Sequence, residues 1–427
     1  MIWVGGLIII LTIVALAMRY EARLVLLVSG FLMFTLSGNF LGAFGAFTSA
    51  MTHSTLVPII TTVMGFTFIL KVTECDQHLT HAIVAPMKKV EKILIPGTVL
   101  GTAAINIALT SAAGVSAAVG AIMIPVLITV GVRPAMAASA VWAGTFGSAM
   151  SPGNAHNVMV SDITQTPIMD IVFVIAPQVI VAAVIGAVSL TVVAHMRKET
   201  KGYLTQGGQV IEPSQGKEFR VAPLKAFVPI FPLILLVLGS SAVLGQNGIG
   251  VLQNDITVPQ AMFAGTILAA IVAWKNPQEI TAKFFDGVGS AYGAVISVIV
   301  CALVFAGGIT AIGVTGAMID AMQELEAAVS IFALFGPFIV GALSGSGDAA
   351  TIAFNDVVLP NAHLFGVEPA TLGTIANIGG ALGRTISPFA GGAIICATIA
   401  KVNPLEMSKR NLPGMLIASV VVLLVFL

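Results

Sequence analysis

The chain has 427 residues, of which 57% are hydrophobic and only 9% are charged, and its formal net charge is zero. Soluble globular domains carry about 25% charged residues, so this composition excludes a water-soluble enzyme; the abundance of apolar residues excludes a disordered chain. The neutral charge balance gives no indication of nucleic-acid binding. The mean hydropathy of +1.02 therefore predicts an all-α polytopic membrane protein.

Apolar runs long enough to cross a bilayer recur along the whole chain. A spanning helix needs about 20 apolar residues, and we predict about ten spans, at 2–18, 24–44, 57–71, 135–160, 168–194, 224–243, 258–274, 288–313, 369–396 and 413–427. Two further apolar stretches, 93–130 and 327–365, are too long for one span, and each carries small polar residues near its middle. This pattern predicts two re-entrant hairpins.

The basic residues orient the predicted spans. If Arg19 and Arg23 lie in the cytoplasm and the side alternates at each span, 18 of the 19 Lys and Arg residues fall on the inner side, as the positive-inside rule expects. The first hairpin then enters from the cytoplasm and the second from outside, with both termini outside. The polar stretch 195–223 is predicted to be a cytoplasmic linker between two halves.

Two segments with the same pattern of Pro, Gly and Ser indicate an internal repeat. The matched pairs are Pro125 with Pro360, Gly131 with Gly366, Pro134 with Pro369 and Ala135 with Ala370, then, after one inserted residue, Gly144 with Gly380, Gly147 with Gly383, Ser151 with Ser387 and Pro152 with Pro388. The charge distribution gives the two copies opposite orientations. Inverted repeats with paired helix breaks are typical of secondary transporters whose site lies near the membrane midplane.

The repeat predicts how the chain is divided. The first inverted repeat covers 1–194, with scaffold helices in 1–56 and a transport part in 57–194. The second covers 224–427, with scaffold helices in 224–287 and a transport part in 288–427. Each transport part contains one hairpin and one broken helix.

The two hairpin tips and the two helix breaks are predicted to meet at the substrate site. A broken helix exposes free N–H groups that attract anions and free C=O groups that attract cations, and Gly and Ser allow the backbone to approach a ligand closely. The predicted substrate-binding residues are Thr110, Ser111, Ala112, Ala113 and Gly114 in the first tip, Ser151, Pro152, Gly153 and Asn154 in the first break, Ser344, Gly345, Ser346 and Gly347 in the second tip, and Arg384, Thr385, Ser387 and Pro388 in the second break.

Arg384 is the only basic residue between Lys283 and Lys401, and it lies near the middle of a predicted span. A charge at that depth is costly unless it is paired, and the guanidinium fork matches a carboxylate. We predict that Arg384 anchors a substrate carboxylate; the alternative is a structural ion pair with Asp348 or Asp356.

Three further polar residues of the apolar segments are candidates for binding a coupling ion, Na⁺ or H⁺. They are Asp348, Asn106 and Asn377, and the asparagines have the alternative role of bridging helices. No catalytic motif and no metal-ligand spacing is present in the sequence, so we expect neither a catalytic residue nor a metal site nor any other cofactor.

Three motifs carry a resemblance to a known family. The segments ALTSAAGVSAAVGAIMIPVLITVGVRPAMAAS, SGSGDAA with a following VVLP, and GRTISPFAGG with a following KVNPLEMSKR resemble the anaerobic C4-dicarboxylate carrier family of DcuC type, within a wider ion-transporter superfamily. The resemblance implies a bacterial inner-membrane carrier of succinate, fumarate or malate, working by exchange or cation coupling. It also implies a lipid-embedded homodimer whose transport domain moves like an elevator. A Na⁺/H⁺ antiporter, or a carrier of citrate or another organic anion, remains the alternative.

Overall fold

The computed structural model describes residues 1–87, 93–200, 219–240, 256–323 and 326–426, and every regular element within these ranges is a helix. The all-α class predicted from the sequence is therefore confirmed for the described residues. Most of the predicted linker, the end of the predicted span at 224–243, and the inner basic residues Lys88, Lys89 and Lys92 lie outside these ranges.

The helices follow one another with short connections. In the first half they are α1 (Ile2–Ala17), α2 (Ala22–Leu36), α3 (Phe40–Met51), α4 (Leu56–Val72), α5 (Cys75–Met87), α6 (Leu94–Ala108), α7 (Ala112–Thr129), α8 (Pro134–Ala143), α9 (Ala155–Thr164) and α10 (Ile168–Met196). In the second half they are α11 (Pro223–Phe227), α12 (Phe231–Gly239), α13 (Val258–Ala273), α14 (Pro277–Ala291), α15 (Ser297–Ala311), α16 (Val314–Gln323), α17 (Glu326–Ser344), α18 (Gly347–Val358), α19 (Pro369–Ile386), α20 (Gly391–Ala400) and α21 (Pro404–Phe426). Short 3₁₀ segments occupy Gly147–Met150 and Leu359–Phe365, and a π-helical turn, Tyr292–Ile296, joins α14 to α15.

Several helices are long and apolar enough to cross a membrane. Among the described residues these are Ala112–Thr129, Ile168–Met196, Pro277–Ala311, Pro369–Ala400 and Pro404–Phe426, and α3 with α4 forms one further candidate span bent by 45°. The face of α10 that carries Ile180, Val184, Val188 and Val192 is exposed, which suits contact with lipid rather than water. The predicted number of spans is not confirmed, because several predicted spans are helices of only 10–17 residues, including α1, α2 and α13.

The predicted span at 24–44 is divided between two helices. Helix α2 ends at Leu36, Gly38 adopts a left-handed backbone conformation with φ of 81°, and Asn39 caps the start of α3 through its side chain. An apolar run therefore continues across a turn that only the Ser-Gly-Asn sequence marks, and this is why hydropathy alone merges the two helices.

The two halves of the predicted repeat begin their broken helices in the same way. Gly131 and Gly366 both have positive φ, at 92° and 66°, and Pro134 and Pro369 both occupy the first turn of the helix that follows. A left-handed glycine followed by an N-terminal proline is a favoured way to turn the chain and restart a helix. These two matches of the sequence repeat are therefore also matches in backbone conformation.

The close contacts of glycines agree with one further pair of the predicted repeat and correct another. Gly147 leaves no room for a Cβ against the carbonyl oxygen of Ala103 on α6, and Gly383 leaves none against that of Phe338 on α17. Gly144 packs in the same way on Val99, but the residue that packs on the equivalent Leu334 is Gly379 rather than the predicted Gly380. Between Gly144 and Gly147 the first copy runs through a tight turn, in which the N–H groups of Gly144 and Gly147 bond to carbonyls three residues earlier, whereas α19 continues as a regular helix and needs one more residue.

In each hairpin and each broken helix, the helix that follows the tip or the break packs against a helix from the other half of the chain. Helix α7 packs on α20, α18 packs on α9, and the long helices α10 and α21 pack on each other. Outside this group, α2 packs on α15 and α4 packs on α14. This crossed packing brings the ends of four helices, α7, α9, α18 and α20, to one place.

Candidate functional site

A cavity of about 440 Å³ lies where these four helix ends converge. Its polar lining comes from both predicted tips and both predicted breaks: Thr110 and Ser111, Ser148 and Asn154, Ser346 and Asp348, and Arg384. The volume falls in the range of about 300–1,000 Å³ that is usual for small-molecule sites. Segments far apart in the sequence therefore form a single polar pocket of a size suited to a small ligand.

Ten of the predicted substrate-binding and coupling-ion residues line this cavity. They are Thr110, Ser111, Ala112, Ala113, Gly153, Asn154, Gly345, Ser346, Asp348 and Arg384. The others are absent from its lining: Asn106, Gly114, Ser151, Pro152, Ser344, Gly347, Asn377, Thr385, Ser387 and Pro388. Most residues of this second group lie within the tips and breaks but do not face the cavity.

Glycines in the second tip allow it to lie directly on the second break. A Cβ on Gly345, whose φ is 76°, would lie 2.8 Å from the backbone nitrogen of Ala390, and one on Gly347 would lie 3.4 Å from Cβ of Arg384. The second hairpin tip therefore touches the backbone on both sides of the second break, which places the neighbouring Asp348 close to Arg384.

The four helix N-termini around the cavity are not equivalent. Ser111 Oγ accepts the N–H of Gly114 at the start of α7, and Asn154 Oδ1 accepts the N–H of His156 at the start of α9. In the part of the chain that the structure describes, no side chain caps the start of α18 at Ser346 or of α20 at Ala390. Uncapped helix N-termini present free N–H groups and a positive partial charge, so the second repeat provides the two ends that are open to an anion.

Asparagines satisfy the backbone of the first break. Asn106 accepts the N–H of Ser148 at 2.9 Å and donates to the carbonyl of Leu109 at 2.8 Å, which joins the first tip to the first break. Asn154 donates to the carbonyl of Ser148 at 3.1 Å, and Asn157 donates to that of Ser151 at 3.0 Å. The polar backbone of this break is thus occupied by the protein's own side chains.

A chain of buried amides connects the two repeats behind the cavity. Asn377 donates to Asn157 Oδ1 at 3.1 Å, and Asn355 donates to Asn377 Oδ1 at 3.0 Å. All three side chains are buried. Asn377 therefore bridges helices α9, α18 and α19, the alternative role that the sequence left open for it.

Arg384 is not paired with a carboxylate among the residues that the structure describes. Its Nη2 donates to the carbonyl oxygen of Thr145 at 2.9 Å, and its buried Nε has no hydrogen-bond partner in the described part of the chain. Asp348 instead places Oδ1 2.9 Å from Nε2 of His156, whose side chain is only 5% exposed. The predicted alternative of a structural Arg384–Asp348 pair is thus not what this conformation shows.

One contact links the loop between α1 and α2 to the second break. The guanidinium carbon of Arg19, between α1 and α2, lies 4.0 Å from the ring centroid of Phe389, which is the geometry of a cation–π interaction. Phe389 follows the Ser-Pro of the second break. A residue of the predicted scaffold therefore touches the segment that lines the cavity.

Comparison with known proteins assigns this architecture to a family. The model of the C4-dicarboxylate anaerobic carrier family, DcuC, matches residues 8–427. The chain belongs to this family. Membership of a transporter family, together with the long apolar helices, identifies it as a multi-pass membrane protein and confirms the expectation that it is not an enzyme.

Individual relatives agree with the family. The chain is similar to a putative uncharacterized transporter of Haemophilus influenzae, at 40% identity over 63% of this chain and 96% of that protein. It is also similar to the anaerobic C4-dicarboxylate transporter DcuC of Escherichia coli K12, at 25% identity over 74% of this chain and 68% of that protein.

A solved structure supports the fold. The crystal structure of the YdaH transporter of Alcanivorax borkumensis resembles this chain with a TM-score of 0.58 at 13% identity, over 91% of this chain and 88% of that one. At this identity the likeness concerns the fold alone.

Sequence reasoning alone missed two residues of the site in this family member. Trp142 lines the cavity, and Asn157 caps the first break. Asn154 and Asn157 are three residues apart, so a helical reading of the segment would have placed them on one face. The described residues contain no group of three or more His, Cys, Asp or Glu side chains that could hold a metal ion.

Proposed function

We propose that this chain is a secondary active transporter of small dicarboxylates, of the succinate, fumarate and malate class, in the bacterial inner membrane. The observation that carries the proposal is Arg384, a guanidinium without a carboxylate partner in the described residues, in a polar cavity formed by both tips and both breaks. The family description and the names of relatives support the same substrate class.

Arg384 and the uncapped helix ends are the proposed carboxylate-binding groups. The guanidinium fork takes one carboxylate, and the free N–H groups at the starts of α18 and α20 add positive potential beside it. Hydroxyls of Thr110, Ser111 and Ser346 are available to the second carboxylate. An acid with two carboxylates separated by a short chain suits this distribution.

Charge balance supports a coupling cation. Arg384 and Asp348 together contribute no net charge when both are ionised, so a bound dianion leaves the cavity with two uncompensated negative charges. Uncompensated charge at membrane depth is costly. We propose Asp348 as the residue through which Na⁺ or H⁺ balances this charge, because its carboxylate lines the cavity, whereas Asn106 and Asn377 do not.

The proposed mechanism is elevator-type alternating access. The two hairpins and the two broken helices interlock through α7 with α20 and α18 with α9, so they are suited to moving as one body with the substrate. We propose that they are inverted repeats, that they move against a lipid-embedded scaffold forming the homodimer, and that the Arg19–Phe389 contact breaks during the movement.

Counterflow of radiolabelled succinate in proteoliposomes tests the proposal. We expect saturable exchange, competition by fumarate and malate, and a loss of about 30-fold or more in R384A, since removing one partner of a desolvated charge pair costs about 2–5 kcal/mol. R197A is the matched control, because Arg197 is exposed and does not line the cavity.

Two results would contradict the proposal. Unchanged counterflow in a folded R384A protein would remove the arginine from the binding site. Ion flux that responds to Na⁺ or pH but to no external carboxylate, compared with Na⁺ replaced by choline, would favour the antiporter alternative.

A further inference from the structure

Asp348 and Arg384 are close, yet they are held apart. Both line the same cavity and they interact electrostatically, but Asp348 pairs with His156 at 2.9 Å while Arg384 donates to the Thr145 carbonyl at 2.9 Å. Each charged group of the site therefore has a different anchor, and both anchors belong to the first repeat.

The backbone positions that carry the two groups are close together. Gly347, next to Asp348 in the chain, approaches Arg384 so closely that an added Cβ would lie 3.4 Å from the arginine Cβ. An aspartate and an arginine that start from neighbouring backbone positions can form a bidentate pair, which is among the strongest polar contacts in a protein. Such a pair would occupy the guanidinium that an incoming carboxylate needs.

His156 is placed to prevent that pairing. Asn154 Oδ1 accepts its backbone N–H at the start of α9, and its imidazole is buried, with a side chain that is 5% exposed. Asp348, by contrast, has a side chain that is 45% exposed to the cavity. A buried imidazole therefore lies within ion-pair distance of a carboxylate that is itself partly exposed.

We infer that His156 is a positioning residue, which retains Asp348 on the side of α9 and so keeps the Arg384 guanidinium available to a substrate carboxylate. The inference rests on the proposed function for the identity of the substrate. It adds that the availability of the arginine depends on a histidine from the other repeat.

A double-mutant cycle on His156 and Asp348 tests the inference. We expect H156A to raise the KM of succinate exchange roughly tenfold in the wild-type background and less than twofold in the D348N background, because no carboxylate then competes for Arg384. H156Q, which keeps a donor of similar reach, should preserve most of the wild-type KM. If H156A does not fold, H156N replaces it, since its amide is too short to reach Asp348.

A merely structural role for His156 predicts a different pattern. It would give equal KM penalties in the two backgrounds, and that outcome would overturn the inference.

Chemical labelling of Arg384 gives a readout that needs no substrate. Phenylglyoxal modification, quantified for the Arg384 peptide by mass spectrometry, should be slowed by H156A and restored in the H156A/D348N double variant. Unaltered labelling in H156A, or no labelling of Arg384 in the wild type, would contradict the inference. Normal labelling behaviour without succinate exchange would refute only the proposed substrate class.

Discussion

A buried ion pair at one end of α21 gives a prediction about stability. Arg410 donates to both carboxylate oxygens of Glu199, from Nε at 2.8 Å and from Nη2 at 2.6 Å, and the side chains are only 4% and 3% exposed. The other arginine at Glu199, Arg133, lies 3.5 Å away and is itself 56% exposed. Replacing Arg410 by Leu therefore leaves a buried carboxylate with one weak partner.

The expected destabilisation is large because one charge remains buried. Breaking a buried pair from one side costs about 3–5 kcal/mol. With an unfolding entropy of about 2.1 cal/mol/K per residue, the scale found for globular proteins, this lowers the melting temperature of a chain of this length by roughly 3–6 °C. The measurement is thermal unfolding of the purified protein in detergent, followed by intrinsic fluorescence.

Two matched variants identify the cause. E406Q removes an exposed partner of Arg410 and should lower the melting temperature by about 1 °C or less. E199L/R410L removes both buried charges and should recover most of the loss, because apolar replacement of a whole buried pair is often neutral. An R410L protein that melts like the wild type, or a double variant no more stable than R410L, would refute the reasoning.

Two further predictions concern the first break and the second tip. G147A should destabilise the protein by about 2 kcal/mol or more and lower its melting temperature, because the new Cβ meets the carbonyl oxygen of Ala103, whereas G289A, at an open position of α14, should be neutral or slightly stabilising; equal melting temperatures would show that the break tolerates a side chain. S346C should react with a water-soluble thiol reagent and be protected by succinate, while S49C, exposed and outside the cavity, should react without protection; the native cysteines Cys75, Cys301 and Cys396 are buried and give little background.

The sequence predicts the helix breaks because they depend on local residue types. The Ser-Pro pairs, the Gly-rich tips and the Gly-x-x-Pro turns restrict the backbone wherever they occur, so the breaks near Ser151 and Ser387 and the tips near Ser111 and Ser346 are found in the structure. Local chemistry does not fix helix length. Apolar runs cross turns such as Ser37–Asn39, and the number of spans is therefore not determined by hydropathy.

The side-chain partners of Arg384 and Asp348 could not be predicted from the sequence, for a different reason. Opposite charges make Asp348 an expected partner for Arg384 when only the sequence is considered. In the structure, α18 packs on α9, and Asp348 therefore pairs with His156 from the other half of the chain. The shift from Gly380 to Gly379 likewise follows from a single tight turn between Gly144 and Gly147 in one copy. Both outcomes depend on how two distant helices pack, which residue identities alone do not specify.

The asparagine side chains of the first break have a consequence for how the two halves can change over evolutionary time. We expect the first break, whose backbone is already hydrogen-bonded to its own asparagine side chains, to tolerate new cavity-facing side chains more readily. We expect less tolerance at the starts of α18 and α20, because a capping side chain acquired at Ala390, or a longer one replacing Ser346, would compete with an anion for the helix N–H groups. The two halves of the predicted repeat thus differ in the substitutions they accept.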